Sequence, residues 1–262
     1  MNKMPHIQLD SSIGATAAIL PGDPARVDAI AAFLTDPKLE AFSREYKSIS
    51  GTYKGRRILA ISTGMGGAST AICVEELANI GIRDIIRIGS CGALQSHLRL
   101  GQLVLCDRAV CDDGASQTYM NAFHYAAPEL NSAFSNSEMI FSHSESSLLN
   151  LCKAQAEQLK FSYAVGPTRC HDALYLQTKP ALDEFYSQKG IYASDMETAS
   201  LFAVGAQRNV RTASILNVVV EWKQDLASGI SSYKNGADAA AQGEHNEIIL
   251  ALETLAAAAE SK

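Results

Sequence analysis

The sequence predicts an α/β fold in a single domain covering residues 1–262, and three observations carry that expectation. The stretch from Ser62 to Gly92 reads STGMGGASTAICVEELANIGIRDIIRIGSCG, in which an apolar run enters a glycine cluster, a helical pattern follows, and a second apolar run ends in more glycine. Such a βαβ unit puts both Gly-rich turns at the C-terminal ends of strands, where ligands bind in open α/β sheets. The same strand–turn–helix layout opens the chain, where Ala15 to Leu20 runs into Pro21-Gly22-Asp23-Pro24. Length supplies the third observation: 262 residues, 47% of them hydrophobic, suffice for one large core and are few for two.

Taken in order, Met1 to Ser12 is polar and reads as an N-terminal arm. Asp23 suits the N-cap and Pro24 the first turn of a helix running to about Phe33, with Arg26 in that first turn. Residues 39–62 alternate as a β-hairpin that turns near Lys54-Gly55. Arg57 to Ser62 is a strand entering Gly64, Gly66 and Gly67. The helix from Ser69 to Ile80 carries Ile72, Leu77 and Ile80 on an apolar stripe and stops at Gly81. Ile85 to Ile88 is the next strand, closed by a turn over Gly89-Ser90-Cys91-Gly92.

Gln102 to Cys106 and Ala109-Val110 read as strands, followed by a loop from Cys111 to Ser116. Residues 117–145 lack periodicity, and a segment of that length is expected to be a binding lid or an interface. Ser146 to Lys160 is helical, Tyr163 to Thr168 a strand, and Asp183 to Gln188 a helix stopped by Gly190. Asp195 to Gln207 is predicted as a helix with its carboxylates in the first turn. Arg211 to Val220 is the most apolar strand and therefore central in the sheet, and Ala237 to Ala259 is a long C-terminal helix.

Composition excludes several classes. A net charge of −6 and a pI near 5.5 argue against nucleic acid or a membrane surface as the main partner. No apolar run reaches transmembrane length, and MNKMPHIQLD lacks a signal-peptide core. The six cysteines have no paired CxxC spacing, so neither zinc nor a disulfide framework is expected, and those in core elements read as small apolar residues. This profile fits a cytoplasmic enzyme.

The predicted turns at 21–23, 63–67, 89–92, 169–172 and 221–223 converge on one rim. Backbone N–H groups at a Gly-rich turn and a helix N-terminus favour an anion, and Arg26, Arg87 and Ser90 stand beside them. Alone, Arg26 reads as a solvated surface charge; next to a second turn of the same layout, phosphate binding is the stronger reading. Glu197 is expected as an exposed carboxylate awaiting two donors, since an ionised carboxylate accepts from two adjacent sugar hydroxyls. Ordinary N-terminal helix charge is the bland alternative for Asp195 and Glu197.

Several of these segments resemble one family, the nucleoside phosphorylases that include hexameric-type purine nucleoside phosphorylases and uridine phosphorylases. Gly64-Met65-Gly66 through Ser69, Ile72 and Glu76-Leu77 is similar to the family signature. Pro21-Gly22-Asp23-Pro24-Ala25-Arg26-Val27 and Arg87-Ile88-Gly89-Ser90-Cys91-Gly92-Ala93 resemble its two phosphate loops. Asp195-Met196-Glu197 resembles its Glu-Met-Glu ribose motif, with the first Glu shortened to Asp. Arg44-Glu45-Tyr46-Lys47-Ser48 and Pro5-His6-Ile7 resemble segments that lend an arginine and a histidine to a neighbouring subunit.

The resemblance covers residues 5–255 and implies a three-layer fold, with a central mixed β-sheet flanked by helices. It implies phosphate-dependent cleavage of a nucleoside to free base and (deoxy)ribose 1-phosphate, with phosphate as co-substrate and neither metal nor organic cofactor. Gly22, Arg26, Arg87, Ser90 and a partner's Arg44 are then expected at phosphate, and Asp195, Met196, Glu197 and a partner's His6 at ribose. Gly92, Leu174, Tyr175, Gln177, Lys179, Val219 and Val220 are expected around the base. The assembly implied is a homodimer, as one unit of a trimer of dimers.

The base stays open at this level. Purine-cleaving members carry Ser-Asp after the central strand, where this sequence has Val219-Val220 and then Glu221. That apolar pair and Asp113-Gly114-Ala115-Ser116 look like uridine phosphorylase, and Gln177-Thr178-Lys179 imitates its uracil-reading Gln-x-Arg once one residue is deleted. Trp222, where uridine phosphorylase has Arg, together with Gly89-Ser90-Cys91-Gly92 and Arg44 to Ser48, looks more like purine-cleaving relatives. Uridine is favoured, with a purine nucleoside as the alternative in which Glu221 is a displaced general acid rather than a surface strand-end charge. A nucleosidase of the same fold is expected to lack the phosphate arginines present here. Retention of the phosphate, ribose and partner-lent residues together disfavours a non-catalytic nucleoside-binding protein.

Overall fold

In the computed structural model, residues 2–126, 139–224 and 238–260 are described, and ten strands form one mixed sheet. The strands are β1 (Ala17–Leu20), β2 (Thr35–Ser43), β3 (Tyr46–Tyr53), β4 (Arg56–Ile61), β5 (Asp84–Ala93), β6 (Leu103–Asp112), β7 (Phe141–His143), β8 (Tyr163–His171), β9 (Ala193–Asp195) and β10 (Arg211–Val220). The helices are α1 (Pro24–Ala31), α2 (Gly67–Asn79), α3 (Gly114–Ala126), α4 (Ser146–Leu159), α5 (Lys179–Gln188), α6 (Thr198–Gln207) and α7 (Asp238–Glu260).

The strands carry the apolar runs, and their period of two sorts side chains between two helix layers. On β1 and β5, Ala18, Leu20 and Ile85 join the core beneath α2 and α6, built with Val74, Leu77, Leu201 and Phe202. Ala17, Ile19, Ile86 and Ile88 join the opposite core, built with Val27, Ile30, Leu148, Cys152, Leu250 and Leu255 of α1, α4 and α7. This is the expected three-layer α/β arrangement.

β5 pairs parallel with β1 and β10 and antiparallel with β9. β10 also pairs antiparallel with β6, β6 parallel with β8, and β8 parallel with β9. The pairing β5–β10–β6–β8–β9 therefore returns to β5, and this half of the sheet closes on itself while β1, β4, β3 and β2 extend from it. A register shift at Val218/Val220 and another at Cys106/Ala109 supply the local bending that closure needs. β10, with nine of ten residues buried, is central as its composition predicted.

Several expectations are corrected. Gly89 to Ala93 is not a turn: it stays extended because β10 and β9 pair with it. The predicted loop from Cys111 to Ser116 shrinks to Asp113 between β6 and α3, whose helical span also takes in residues 117–126. Within the segment read as a lid or interface, residues 127–138 lie outside the described residues, and 141–143 form β7. The hairpin over 39–62 is a three-stranded meander beginning at Thr35, and α1 ends two residues before Phe33. β8 continues past Thr168 to His171, and α5 begins at Lys179 rather than Asp183. Of the predicted apolar stripe of α2, Leu77 and Ile80 are buried, but Ile72 is exposed and Val74 is buried in its stead. The arm is anchored, since Ile7 and Leu9 are buried and the Ile7 N–H donates to Glu76. All six cysteines are free, buried thiols. Among the described residues, no helix is long and apolar enough to cross a membrane.

One buried ion cluster ties the strand starts together. Asp84, fully buried at the beginning of β5, accepts from Arg56 Nη2 at 2.5 Å and Arg211 Nε at 2.7 Å. Arg56 also donates to the Leu255 carbonyl of α7. Burial works against the Asp84 carboxylate, but the Arg211 and Arg56 hydrogen bonds outweigh it and hold its pKa below the ordinary value. Removing the anion strands two guanidinium groups, one of them buried, so Asp84→Ala is expected to lower unfolding free energy by about 3–5 kcal/mol in urea titration. A loss below about 1 kcal/mol would show that the cluster is solvated and contributes little.

Candidate active site

Two glycine turns come together before any side chain is considered. Thr63 donates its N–H to the Pro21 carbonyl at 2.9 Å and Gly64 donates to the Gly22 carbonyl at 3.0 Å. A Cβ on Gly22 would sit 3.2 Å from the Gly64 oxygen, so the close approach favours glycine. Asp23 caps α1 through the Ala25 N–H at 2.8 Å, with Pro24 opening the helix, and this sets Arg26 in the first turn. Gly66 stands at φ +99°, open to glycine and strained for other residues, and aims its N–H at Glu197.

Arg87, on β5, is the centre of the charge arrangement. Its Nε donates to Asp195 Oδ2 at 3.1 Å and its Nη2 to Glu197 Oε2 at 2.5 Å. The other Glu197 oxygen accepts from the Gly66 N–H at 2.6 Å. All three side chains are buried. The expectation of an exposed Glu197 is therefore corrected: the site closes its own carboxylate onto Arg87 and the glycine turn. Asp195 ends β9 rather than entering the helix, and α6 begins only at Thr198. Asp195 Oδ2 accepts from the Thr198 N–H at 3.0 Å and from Thr198 Oγ1 at 2.6 Å, which anchors α6.

Arg26 meets two carboxylates from α7, Glu247 Oε1 at 3.2 Å and Glu244 Oε2 at 3.4 Å, and donates to Ser90 Oγ at 3.4 Å. Arg26, Arg87, Ser90, Asp195 and Glu197 face an open cavity of about 1090 Å³, and Glu244 and Glu247 back Arg26 from outside its lining. Gly22, Arg26, Arg87 and Ser90 line one region of it, and Asp195, Met196 and Glu197 border that region. Gly92, Leu174, Tyr175, Lys179, Val219 and Val220 line the remainder, with Glu221 and Trp222 beside them.

The match to known proteins extends over nearly all of these elements: the family described as the phosphorylase superfamily matches residues 16–260. The chain belongs to the phosphorylase superfamily. Within that superfamily it is similar to guanosine phosphorylase of Halorubrum lacusprofundi, at 32% identity over 83% of each chain. Its structure is similar to the crystal structure of uridine phosphorylase from Vibrio fischeri ES114, with a TM-score of 0.83 and 36% identity over 97% of this chain and 98% of that one. It is also similar to purine nucleoside phosphorylase from Toxoplasma gondii in complex with immucillin-H, with a TM-score of 0.84 and 26% identity over 100% of this chain and 98% of that one.

Not every residue expected from the superfamily resemblance reaches the cavity. Gln177 is exposed and outside it, because the chain between β8 and α5 turns it toward solvent. Arg44 is exposed at the β2–β3 turn, at φ +55°, and does not line the cavity of its own chain. The His6 Nδ1 lies 2.6 Å from Glu76 Oε1, also outside the cavity. Lys179 reaches the wall with its ammonium ion-paired to Asp183. Glu221 is half-buried and accepts the Leu100 N–H at 3.3 Å.

Three acidic or basic groups went unseen in the sequence: Glu244, Glu247 and His171. The two glutamates lie within a long helix whose charge pattern resembles any solvated face, and the Glu247 contact with Arg26 spans 221 positions. For His171 the one available signal was its place at the predicted turn 169–172. Among the described residues, no cluster of His, Cys, Asp and Glu is placed to hold a metal ion.

Burial and charge oppose each other throughout the site. Burial alone would lower the Arg87 pKa, but Glu197 and Asp195 hold it above the ordinary arginine range. Burial raises the Glu197 pKa, with Arg87 pulling it back. Glu247 goes furthest: burial pushes it to about 8, against the pull of Arg26. A carboxyl whose pKa is raised on folding contributes stability that is complete below about pH 4.5 and is lost as pH rises to about 8. Urea midpoints measured at pH 5 and pH 8 are expected to fall with pH in the wild type and to fall less in Glu247→Gln. Identical slopes in the two proteins would assign the titration to another group.

Proposed function

We propose that this cavity cleaves the N-glycosidic bond of a nucleoside with phosphate, that uridine is its preferred substrate, and that a second subunit completes it. The protein is a nucleoside phosphorylase, hence a pentosyltransferase, of a family that acts without a cofactor and uses phosphate as substrate. A phosphate oxygen forms the new bond to C1′ as the C1′–N bond breaks, and the departing base takes the electron pair. The products are free base and (deoxy)ribose 1-phosphate.

The observation that carries this reading is Arg87 standing between an anion cradle and a diol acceptor. On one side are Arg26, Ser90 and the Gly22 turn, which hold phosphate by charge-assisted and backbone hydrogen bonds. On the other is Glu197, whose buried carboxylate accepts from the 2′- and 3′-hydroxyls while Met196 borders the sugar. Positive charge develops on the ribose in the transition state, and a phosphate dianion beneath C1′ stabilises it there and attacks from there.

Val219 and Val220 favour uridine. They are apolar and buried where the purine-cleaving members resembled here carry an acid. A neutral purine then leaves without a proton at N7, at a cost of roughly 10²–10⁴ in rate. Glu221 supports a second reading, with inosine, guanosine or adenosine as substrate, because it lines the same cavity as a candidate acid. Incubation with uridine, inosine and adenosine, with and without phosphate, is expected to release base only when phosphate is present, with the highest kcat/KM for uridine. Base release without phosphate would sink the phosphorylase reading. Preference for inosine, abolished in Glu221→Gln, would transfer the acid role to that residue.

Arg44 and His6 serve a neighbour's site in this proposal, since neither reaches the cavity of its own chain. The assembly is a homodimer within a trimer of dimers, in the cytoplasm, with nucleoside and phosphate as its small-molecule partners and no role for nucleic acid or membrane. Leu39 and Phe42 of β2, together with Met65 and Ile72, offer exposed apolar surface for such contacts. A two-fold axis exchanges these groups reciprocally and gives two equivalent shared sites. Mixing Arg44→Ala subunits with Glu197→Gln subunits tests it. One site of a heterodimer then has both groups intact and recovers activity; mixtures that stay inactive despite proven exchange would confine Arg44 to its own chain.

A further inference from the structure

The base region of the cavity contains a polar side chain that nothing above uses. His171 is the last residue of β8, 4% exposed, and lines the cavity. Its Nδ1 is buried with no hydrogen-bond partner. Nε2 is the nitrogen left to face the open space. The cavity wall there mixes apolar residues, Leu174, Val219 and Val220 among them, with the charged side chains of Lys179, Asp183 and Asp195. Gln177, expected to read the base, points to solvent, and Lys179 is held by Asp183.

We propose that His171 donates a hydrogen bond from Nε2 to the base carbonyl remote from the glycosidic nitrogen. This rests on the nucleoside phosphorylase reading and names the substrate class within it: bases with an oxygen at that position, O4 of uracil or O6 of a 6-oxopurine. Four charged groups act on the ring: Arg169 of the same strand, Lys179 and Asp183 of α5, and Asp195 of β9. Burial lowers the His171 pKa, Arg169 and Lys179 lower it further, and the two aspartates only partly oppose them. The ring is therefore neutral near pH 7 and carries one proton. A buried N–H without a partner costs more than a buried lone pair, so the proton belongs on Nε2, toward the cavity.

A neutral donor at that place does chemical work. As the C1′–N bond breaks, negative charge spreads over the base and accumulates on its carbonyl oxygens. A fixed N–H then binds the transition state more tightly than the ground state. Adenine presents an amino donor at the same position, so two donors would face each other there.

Paired substrates test the inference. Uridine is compared with pyrimidin-2-one riboside, which lacks O4, and inosine with purine riboside, which lacks O6. In the wild type, whichever carbonyl-bearing member turns over is expected to exceed its analogue by about 100-fold in kcat/KM. His171→Ala is expected to erase that ratio, and His171→Gln, which keeps an N–H, to restore part of it, with the KM for phosphate unchanged. Calorimetric titration with free uracil against pyrimidin-2-one, and with hypoxanthine against purine, gives the same contrast without turnover. A protein that binds these bases selectively but never cleaves a nucleoside would therefore overturn the parent reading alone. His171→Ala affecting both members of each pair equally, or neither, would overturn this one.

Discussion

Burying a guanidinium is tolerable only where anions meet it, and Arg87 meets two. Glu197 at 2.5 Å and Asp195 at 3.1 Å flank it, and all three side chains are buried. The three groups come from β5, β9 and the start of α6, so their mutual attraction fixes how the half-closed sheet carries its helices. Taking away one member strands the others as unpaired buried charges, a cost of several kcal/mol. The same cluster faces the cavity, and the geometry that holds the fold therefore also sets the chemistry available there.

That double duty shapes the electrostatics. The two arginines of the chain's own cavity are already opposed by carboxylates: Arg87 by Asp195 and Glu197, Arg26 by Glu244 and Glu247. A phosphate dianion entering this region adds negative charge beside four acidic side chains. A Glu247 pKa near 8 eases that conflict, because below that pH this carboxyl is largely neutral. In the proposed reaction Glu197 would ease it differently, by turning an oxygen from Arg87 to sugar hydroxyls. On that proposal phosphate and ribose act on one another through a single guanidinium.

The local parts of this account were legible in the sequence. Asp23-Pro24 marks a helix start by capping chemistry, and the structure has the Asp23 cap and the Pro24 first turn. The apolar runs gave the strands, and the resemblance led to most cavity residues. What escaped was non-local. Arg87 and Glu197 lie 110 positions apart, so no spacing announces that one closes on the other. Gly89 to Gly92 reads as a turn by composition, yet pairing with β10 and β9 keeps it extended, and glycine tolerates either state. Ile72 looked like a core residue because periodicity cannot tell a buried stripe from an apolar patch on the neighbouring face. His171 carried no signal beyond its place at a predicted turn, since its significance lies in a missing partner, which only three dimensions reveal.

The central claim is that Glu197 competes with phosphate for Arg87 until a ribose engages it. Titration calorimetry of phosphate into nucleoside-free protein addresses this most directly, comparing wild type with Glu197→Gln. Glutamine can still accept from the Gly66 N–H but brings no negative charge, so phosphate is expected to bind about tenfold tighter to the variant, a difference of about 1.4 kcal/mol. Phosphate binding that is unchanged or weaker in Glu197→Gln would contradict the account, because the carboxylate would then be supporting the arginine's grip on phosphate rather than opposing it.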